Sequence, residues 1–109
     1  MMDMYDLTGK TAIVTGGSQG LGESFARGLA KAGCNLVLTA RTLSKLEKVA
    51  GEMIHYGVEA LPVSMDVNKR EDIEAMVKKA TDKFGKIDIL VNNAGISAVA
   101  ASRLVLTAW

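Results

Sequence analysis

Short apolar runs alternate along this chain with longer amphipathic segments, and this alternation limits the possible folds more than any other feature. The apolar runs lie at residues 12–14, 36–38, 60–63 and 87–91. Their length is typical of buried strands, and the three segments between them are long enough for helices. A strand–helix alternation with short connections predicts a parallel sheet with helices on its faces. We therefore predict an α/β fold.

The three predicted helices span about residues 20–32, 44–56 and 68–84. Helical spacing places Leu21 on the buried face of the first helix. Ser44 and Glu47 form a predicted capping box at the start of the second, and Asn68 is the predicted N-cap of the third. Gly57 and Gly85 supply the predicted ends of the second and third helices.

Composition excludes several classes of protein. A chain of 109 residues has room for one domain, and 49% hydrophobic with 23% charged residues does not fit a disordered chain. Thirteen Lys and Arg against twelve Asp and Glu leave a net charge of +1, which points to neither a nucleic-acid nor a membrane partner. No leader or membrane-spanning pattern is seen, and no His/Cys cluster predicts a metal site. We expect a cytoplasmic protein in which Cys34 is structural.

A glycine-rich segment joins the first predicted strand to the first predicted helix. It reads Thr-Gly-Gly-Ser-Gln-Gly-Leu-Gly over residues 15–22, with the spacing G-x-x-x-G-x-G. Glycines permit a sharp turn and leave room for a pyrophosphate at the N-terminus of the helix. The alternative is a turn with only a backbone role. We favour a dinucleotide site, with these candidate residues: Gly16, Ser18, Gln19, Gly20, Leu21 and Gly22.

The second predicted strand ends at Arg41, nineteen residues after Gly22. At this position of dinucleotide-binding folds an acidic residue accepts a hydrogen bond from the ribose 2′-hydroxyl, whereas an arginine accommodates a 2′-phosphate. No acidic residue ends this strand. The residue therefore favours NADP, with NAD as a possible cofactor; the alternative is an ordinary exposed arginine before a helix.

Polar residues also follow the third and fourth predicted strands. Asp66, followed by Val67, could accept a hydrogen bond from the adenine amino group, or could serve as a turn or capping residue. The fourth strand runs into Asn92, Asn93, Ala94 and Gly95. Asparagine side chains can bridge backbone groups of neighbouring strands, and glycine permits close approach of a ligand. We expect both segments to face the cofactor.

Pro62 constrains the order of the strands. A proline inside a strand is tolerated mainly at a sheet edge because it has no N–H to donate. The doubly wound order 3-2-1-4 places the third strand at that edge. The fourth strand then forms the opposite edge, which we expect to be open to self-association unless the last residues of the chain cover it.

These segments together resemble the short-chain dehydrogenase/reductase family. The matching residues are Thr15-Gly16-x-x-x-Gly20-x-Gly22, Asp66-Val67 and Asn92-Asn93-Ala94-Gly95, with a family-like lead-in at residues 7–10. The resemblance implies a Rossmann-like sheet, cut short after about four strands, and an NAD(P)-binding domain over residues 1–96. It also implies hydride transfer between a nicotinamide and an alcohol or carbonyl. Residues 97–109 are more apolar than the family segment at that place, and we expect a divergent tail.

The family's catalytic groups are missing from these 109 residues. Neither tyrosine begins the Tyr-x-x-x-Lys motif, because Tyr5 is followed four residues later by Gly9 and Tyr56 by Ala60. We therefore assign no catalytic residue and expect a small-molecule substrate only for a full-length form. A dinucleotide-binding module or inactive truncated remnant is one alternative function. An unrelated doubly wound phosphate-binding or signalling domain is another.

Overall fold

The chain folds into a five-stranded parallel sheet with helices packed on both of its faces. The computed structural model describes residues 6–18, 20–92 and 104–107. The strands are β1 (Thr11–Thr15), β2 (Asn35–Ala40), β3 (Ala60–Ser64), β4 (Ile89–Asn92) and β5 (Leu104–Thr107), and the helices are α1 (Gly20–Lys31), α2 (Leu43–Met53) and α3 (Arg70–Phe84). The predicted α/β alternation is confirmed.

The strands lie in the order β3-β2-β1-β4-β5. The predicted order 3-2-1-4 is therefore confirmed, with Pro62 in the edge strand β3, where it is in register with Leu38 of β2. The central strand β1 is buried along its whole length, while most of β3 is only half-buried. Apolar residues thus become more exposed towards the proline-containing edge, as the topology requires.

The expected open edge at β4 is not observed. Strand β5 pairs in parallel with β4, with Ile89 opposite Leu104 and Asn92 opposite Thr107. Both sides of β4 therefore make ladder hydrogen bonds, since β1 occupies the other side. The exception stated above therefore applies, since residues 104–107 cover this edge of β4. Within the described residues, the sheet edges are β3 and β5.

The two faces of the sheet bury separate apolar clusters, because side chains alternate along each strand. Leu36 and Leu38 of β2 face α1 and α2, where they join a large cluster with Leu46 and Met53. Val37 faces the other side and joins the smaller cluster under α3. The carboxyl ends of β1 to β4 lie along one edge, between these two helical layers.

Of the three predicted helix starts, that of α1 at Gly20 is confirmed, while those of α2 and α3 are wrong by one or two residues. Helix α2 begins at Leu43 after Thr42, which makes no side-chain cap, so Ser44 lies inside the first turn and no capping box forms. Helix α3 begins at Arg70. The N–H of Asn68 is bonded to the Asp66 carboxylate, in a turn that precedes the helix.

The predicted helix ends are confirmed. Helix α2 continues as one 3₁₀ turn, Ile54–Tyr56, and stops at Gly57, where φ is +82°. Gly85 ends α3 with the same φ of +82°. Among the described residues, none of the helices has both the length and the apolar character that crossing a bilayer requires.

Candidate functional site

The glycine loop is anchored on the neighbouring strand. Backbone N–H groups of Gly16 and Gly17 both donate to the carbonyl oxygen of Thr39, at 2.8 and 3.1 Å. Gly16 has a φ of +69°, a conformation that favours glycine. The loop therefore turns sharply at the end of β1 and rests against the last residues of β2.

Two further glycines of the loop serve different purposes. A Cβ on Gly17 would lie 3.2 Å from Leu38 Cδ2 and 3.3 Å from the carbonyl oxygen of Val14, so this glycine permits close packing. Gly20 has a φ of +59°, and a Cβ there would meet no atom within 4 Å. The space beside the first residue of α1 is therefore open.

This opening suits an anionic group. The first N–H groups of a helix have no partner within the helix, and the helix dipole is positive at that end. The loop residues present thus fit the pyrophosphate of a dinucleotide: the N-terminus of α1 would hold its charge, and Gly20 would leave room for it. Gln19 lies outside the described residues.

Leu21 and Gly22 sit on opposite sides of the start of α1. Gly22 is buried with Ala26 and Ala30, and this row of small residues brings α1 close to the sheet. Leu21 is 55% exposed, so its predicted place on the buried face is wrong. The buried stripe of α1 consists of Gly22, Ala26 and Ala30, and Leu21 lies outside this stripe.

Arg41 and Asp66 meet at the carboxyl ends of β2 and β3. Arg41 Nη2 lies 3.4 Å from Asp66 Oδ1, and the arginine side chain is 71% exposed. The Ser64 hydroxyl donates to the carbonyl oxygen of Arg41 at 2.9 Å. The backbone of Arg41 is thus held by the neighbouring strand, while its guanidinium extends over the edge of the sheet towards Asp66.

Asp66 is itself fixed by its neighbours. Its Oδ1 accepts the N–H of Asn68 at 2.9 Å, and its own N–H donates to Asp72 Oδ2 at 2.9 Å. The Asn68 N–H, and then the Arg41 guanidinium, hold the pKa of the Asp66 carboxyl below its ordinary value. The turn-forming role predicted as an alternative for Asp66 is therefore present. The following Val67 packs against the apolar cluster under α3.

Asn92 links the central strands near the glycine loop. It is opposite Thr15 in the β1–β4 ladder, and the Thr15 hydroxyl donates to Asn92 Oδ1 at 3.2 Å. Asn92 is 8% exposed. Asn92 thus links β4 to β1 through the Thr15 side chain, whereas the predicted bridging was to backbone groups. Asn93, Ala94 and Gly95 lie outside the described residues.

The structure brings the loop, Arg41, Asp66 and Asn92 to a single edge of the sheet, because all four follow the carboxyl ends of parallel strands. Such an edge, at the point where the strand order reverses, is where ligands bind in open α/β sheets. Ser18 lies beside it and lines a cleft of about 310 Å³ between α1 and α2, together with Lys45 and Lys48.

Three residues that hold this edge in place carried no recognised sequence signal. The Thr39 carbonyl anchors the glycine loop, the Ser64 hydroxyl holds Arg41, and the Asp72 carboxylate holds Asp66. Only Asp72 had a usable signal, since an acidic residue in the first turn of a helix can accept a backbone N–H from the preceding loop. The other two depend on which strands become neighbours.

Cys34 takes no part in this edge. It is fully buried, and its Sγ lies 3.4 Å from the carbonyl oxygens of Lys10 and Asn35. Burial raises the pKa of the thiol to about 11. A thiol with this pKa stays protonated at neutral pH, which agrees with the predicted structural role.

Comparison with known proteins identifies the family. The family model described as short chain dehydrogenase matches residues 10–109. The chain belongs to the short-chain dehydrogenase/reductase family. The match includes residues 97–109, the segment that the sequence predicts to be a divergent tail. The Rossmann-like fold implied by the resemblance is thereby placed in a known family of oxidoreductases.

Individual relatives support the same assignment. The chain is 45% identical over 93 residues to oxidoreductase UcpA of Escherichia coli strain K12, covering 85% of this chain and 35% of that protein. The chain therefore spans about a third of the length of this relative.

Solved structures of the family superimpose well. L-sorbose reductase from Gluconobacter frateurii, complexed with NADPH and L-sorbose, matches with a TM-score of 0.82 and 40% identity, over 92% of this chain and 38% of that one. A 7α-hydroxysteroid dehydrogenase complexed with NADH and 7-oxo glycochenodeoxycholic acid matches with a TM-score of 0.81 and 34% identity, over 88% and 38%.

Proposed function

We propose that this chain forms the cofactor-binding part of an NADP-preferring short-chain dehydrogenase/reductase. In such an enzyme the bound nicotinamide would exchange a hydride with an alcohol or carbonyl carbon of a small molecule. The residues of this chain would bind and orient the dinucleotide. The glycine loop and the start of α1 would take the pyrophosphate, and Asn92 would keep the loop aligned with β4.

The observation that carries the NADP preference is the position of Arg41. Its guanidinium lies at the carboxyl edge of β2, is 71% exposed, and is thus accessible to a ligand. The carboxylate that would bind a ribose 2′-hydroxyl in an NAD site is missing at the end of this strand. The two structural relatives described above were solved with NADPH and with NADH, so the family accepts both cofactors.

Substitution of Arg41 tests this preference. A charge-assisted bond to the 2′-phosphate contributes roughly 1.5–3 kcal/mol. We therefore expect the wild-type chain to bind NADP about ten- to a hundredfold more tightly than NAD, and Arg41→Ala to remove most of this difference. Calorimetric titration of both chains with both cofactors measures it.

Arg70→Ala is the matched control, because it removes the same charge from an arginine that is 89% exposed at the start of α3. The selectivity of this control is expected to stay at the wild-type value. Equal affinities of the wild-type chain for NADP and NAD would refute the assignment of Arg41.

A further inference from the structure

Arg41 faces a carboxylate at the place where the proposed function needs it to face a phosphate. Arg41 Nη2 lies 3.4 Å from Asp66 Oδ1, and the Asp66 side chain is 27% exposed. A 2′-phosphate bound by the same guanidinium would stand on the order of 6–8 Å from this carboxylate, since ion pairs form within about 4 Å. Two like charges at this distance repel each other noticeably even in water.

Asp66 is unable to move away freely when such a phosphate arrives. Its Oδ1 also accepts the N–H of Asn68, and its own backbone N–H is held by Asp72 at the start of α3. The carboxylate therefore stays at the site in its charged form. The cost of bringing a phosphate to Arg41 includes weakening the Arg41–Asp66 pair and tolerating the remaining negative charge.

We infer that Asp66 is a specificity-determining residue that lowers the NADP preference of this chain by competing with the 2′-phosphate for Arg41. This inference rests on the proposed function, because it requires Arg41 to be the phosphate-binding group. An NAD molecule carries no 2′-phosphate and leaves the Arg41–Asp66 pair intact. The competition therefore acts on NADP alone.

The effect can be separated from any contact between Asp66 and the adenine. Both cofactors carry the same adenine, so a lost adenine contact weakens both affinities by the same factor and cancels in the ratio of dissociation constants for NAD and NADP. Competition for Arg41 changes that ratio. The ratio is thus the readout that a merely structural or adenine-binding role does not move.

Asp66→Asn is the variant of choice, because the amide oxygen of asparagine can still accept the Asn68 N–H while the charge is removed. We expect the ratio of the NAD to the NADP dissociation constant to rise by about three- to tenfold at low ionic strength. At about 1 M salt the increase should largely disappear, because the screening length falls to about 3 Å.

A double-mutant cycle with Arg41→Ala assigns the effect to the ion pair. In the Arg41→Ala background, Asp66→Asn is expected to change the ratio less than twofold, because the guanidinium over which the two anions compete is gone. Glu71→Gln is the matched charge control, since it removes one negative charge from an exposed residue in the first turn of α3. It should leave the ratio unchanged.

The cycle is measured by calorimetric titration of the four 109-residue chains with NADP and NAD, and the possible results are distinct. A rise in the ratio that requires Arg41 supports the inference. An unchanged ratio with both affinities weakened overturns it and leaves the proposed function intact. A fall in the ratio also overturns it, since Asp66 would then position Arg41 for the phosphate. No effect of Arg41→Ala in either background refutes both proposals.

Discussion

Gly33 shows how closely the segment before β1 packs against the turn after α1. Its φ is +96°, and a Cβ added there would lie 2.6 Å from Thr8 Oγ1 and 3.1 Å from Thr8 Cα. The hydrogen bond from Leu7 N–H to the carbonyl oxygen of Ala32 holds the two segments together. The residue is therefore required both by backbone conformation and by space.

We expect Gly33→Ala to destabilise the chain by about 1–3 kcal/mol, because the left-handed conformation and the backbone contact both oppose a Cβ. Urea denaturation followed by circular dichroism measures the change in unfolding free energy. Gly28→Ala is the matched control: Gly28 lies in α1 with nothing within 4 Å of the Cβ position. This control should stabilise the chain by roughly 0.5–1 kcal/mol. Equal effects of the two substitutions would contradict the packing argument.

The sequence shows that an arginine stands at the end of β2, but it does not show that Arg41 forms an ion pair with Asp66. The type of residue at the end of β2 indicates a preference for a 2′-phosphate. The 3.4 Å contact with Asp66 depends on β3 lying next to β2, with Ala40 in register with Ser64. A cofactor preference inferred from Arg41 alone therefore leaves out the charge that opposes it.

At the scale of elements, Asp88 joins the start of β4 to the start of β1. Its Oδ2 accepts the N–H of Thr11 at 3.0 Å and lies 3.4 Å from Lys86 Nζ, and its side chain is 7% exposed. Burial by itself would raise the pKa of this carboxyl, but the Thr11 N–H and the Lys86 ammonium lower it below its ordinary value of 3.8.

This shift predicts a pH dependence of stability. A carboxyl whose pKa is lower in the folded chain contributes stability above its unfolded pKa, and the contribution is lost as the pH falls through the folded pKa. We expect Asp88→Asn to cost about 1 kcal/mol at pH 7, since a charge-assisted hydrogen bond becomes a neutral one. The difference between wild type and variant should shrink below about pH 3.8, the ordinary carboxyl value.

Urea denaturation at pH 7 and at pH 3 measures this difference. Asp82→Asn is the control, because Asp82 forms an exposed i,i+4 pair with Lys78 and should contribute no more than about 0.5 kcal/mol. A cost of Asp88→Asn that stays the same at both pH values would show that the charge of Asp88 is not what stabilises the strand start.

At the scale of the whole molecule, the described residues at the proposed cofactor edge include no side chain placed to donate the proton that dehydrogenase chemistry needs. Hydride transfer to a carbonyl requires a group that donates a proton to the developing alkoxide. General acid–base catalysis typically raises the reaction rate 10²–10⁴-fold, and loss of electrostatic stabilisation lowers the rate by a further 10²–10³-fold. Gly20, Arg41, Asp66 and Asn92 are proposed to hold the dinucleotide, and none of them is placed as such a donor.

We therefore expect the 109-residue chain to bind cofactor without turnover. NADPH oxidation followed at high protein concentration, with a panel of aldehydes, ketones and sugar acids, tests this expectation. Gly20→Asp is the control, because a carboxylate at the start of α1 would block and repel the pyrophosphate. Turnover beyond stoichiometry that Gly20→Asp abolishes would reveal a catalytic group in this chain.

The sequence by itself determined the class of fold and the order of four strands, and it predicted the place of the cofactor edge. These features depend on local signals: apolar periodicity marks strands and helices, Pro62 marks an edge strand, and the left-handed glycines Gly57 and Gly85 end helices within one or two residues of where the pattern stops. The glycine loop is equally local, since its spacing and its position after β1 lie within eight consecutive residues.

Only the tertiary structure decided the rest. Residues Leu104–Thr107 pair with β4, so that strand is not the edge of the sheet. Arg41 contacts Asp66 because β2 and β3 are neighbours, and the glycine loop contacts Thr39 because β1 and β2 are neighbours. Each of these depends on groups that become neighbours only when strands take their register, and hydrogen bonds and charge pairs form according to distance in space rather than spacing along the chain.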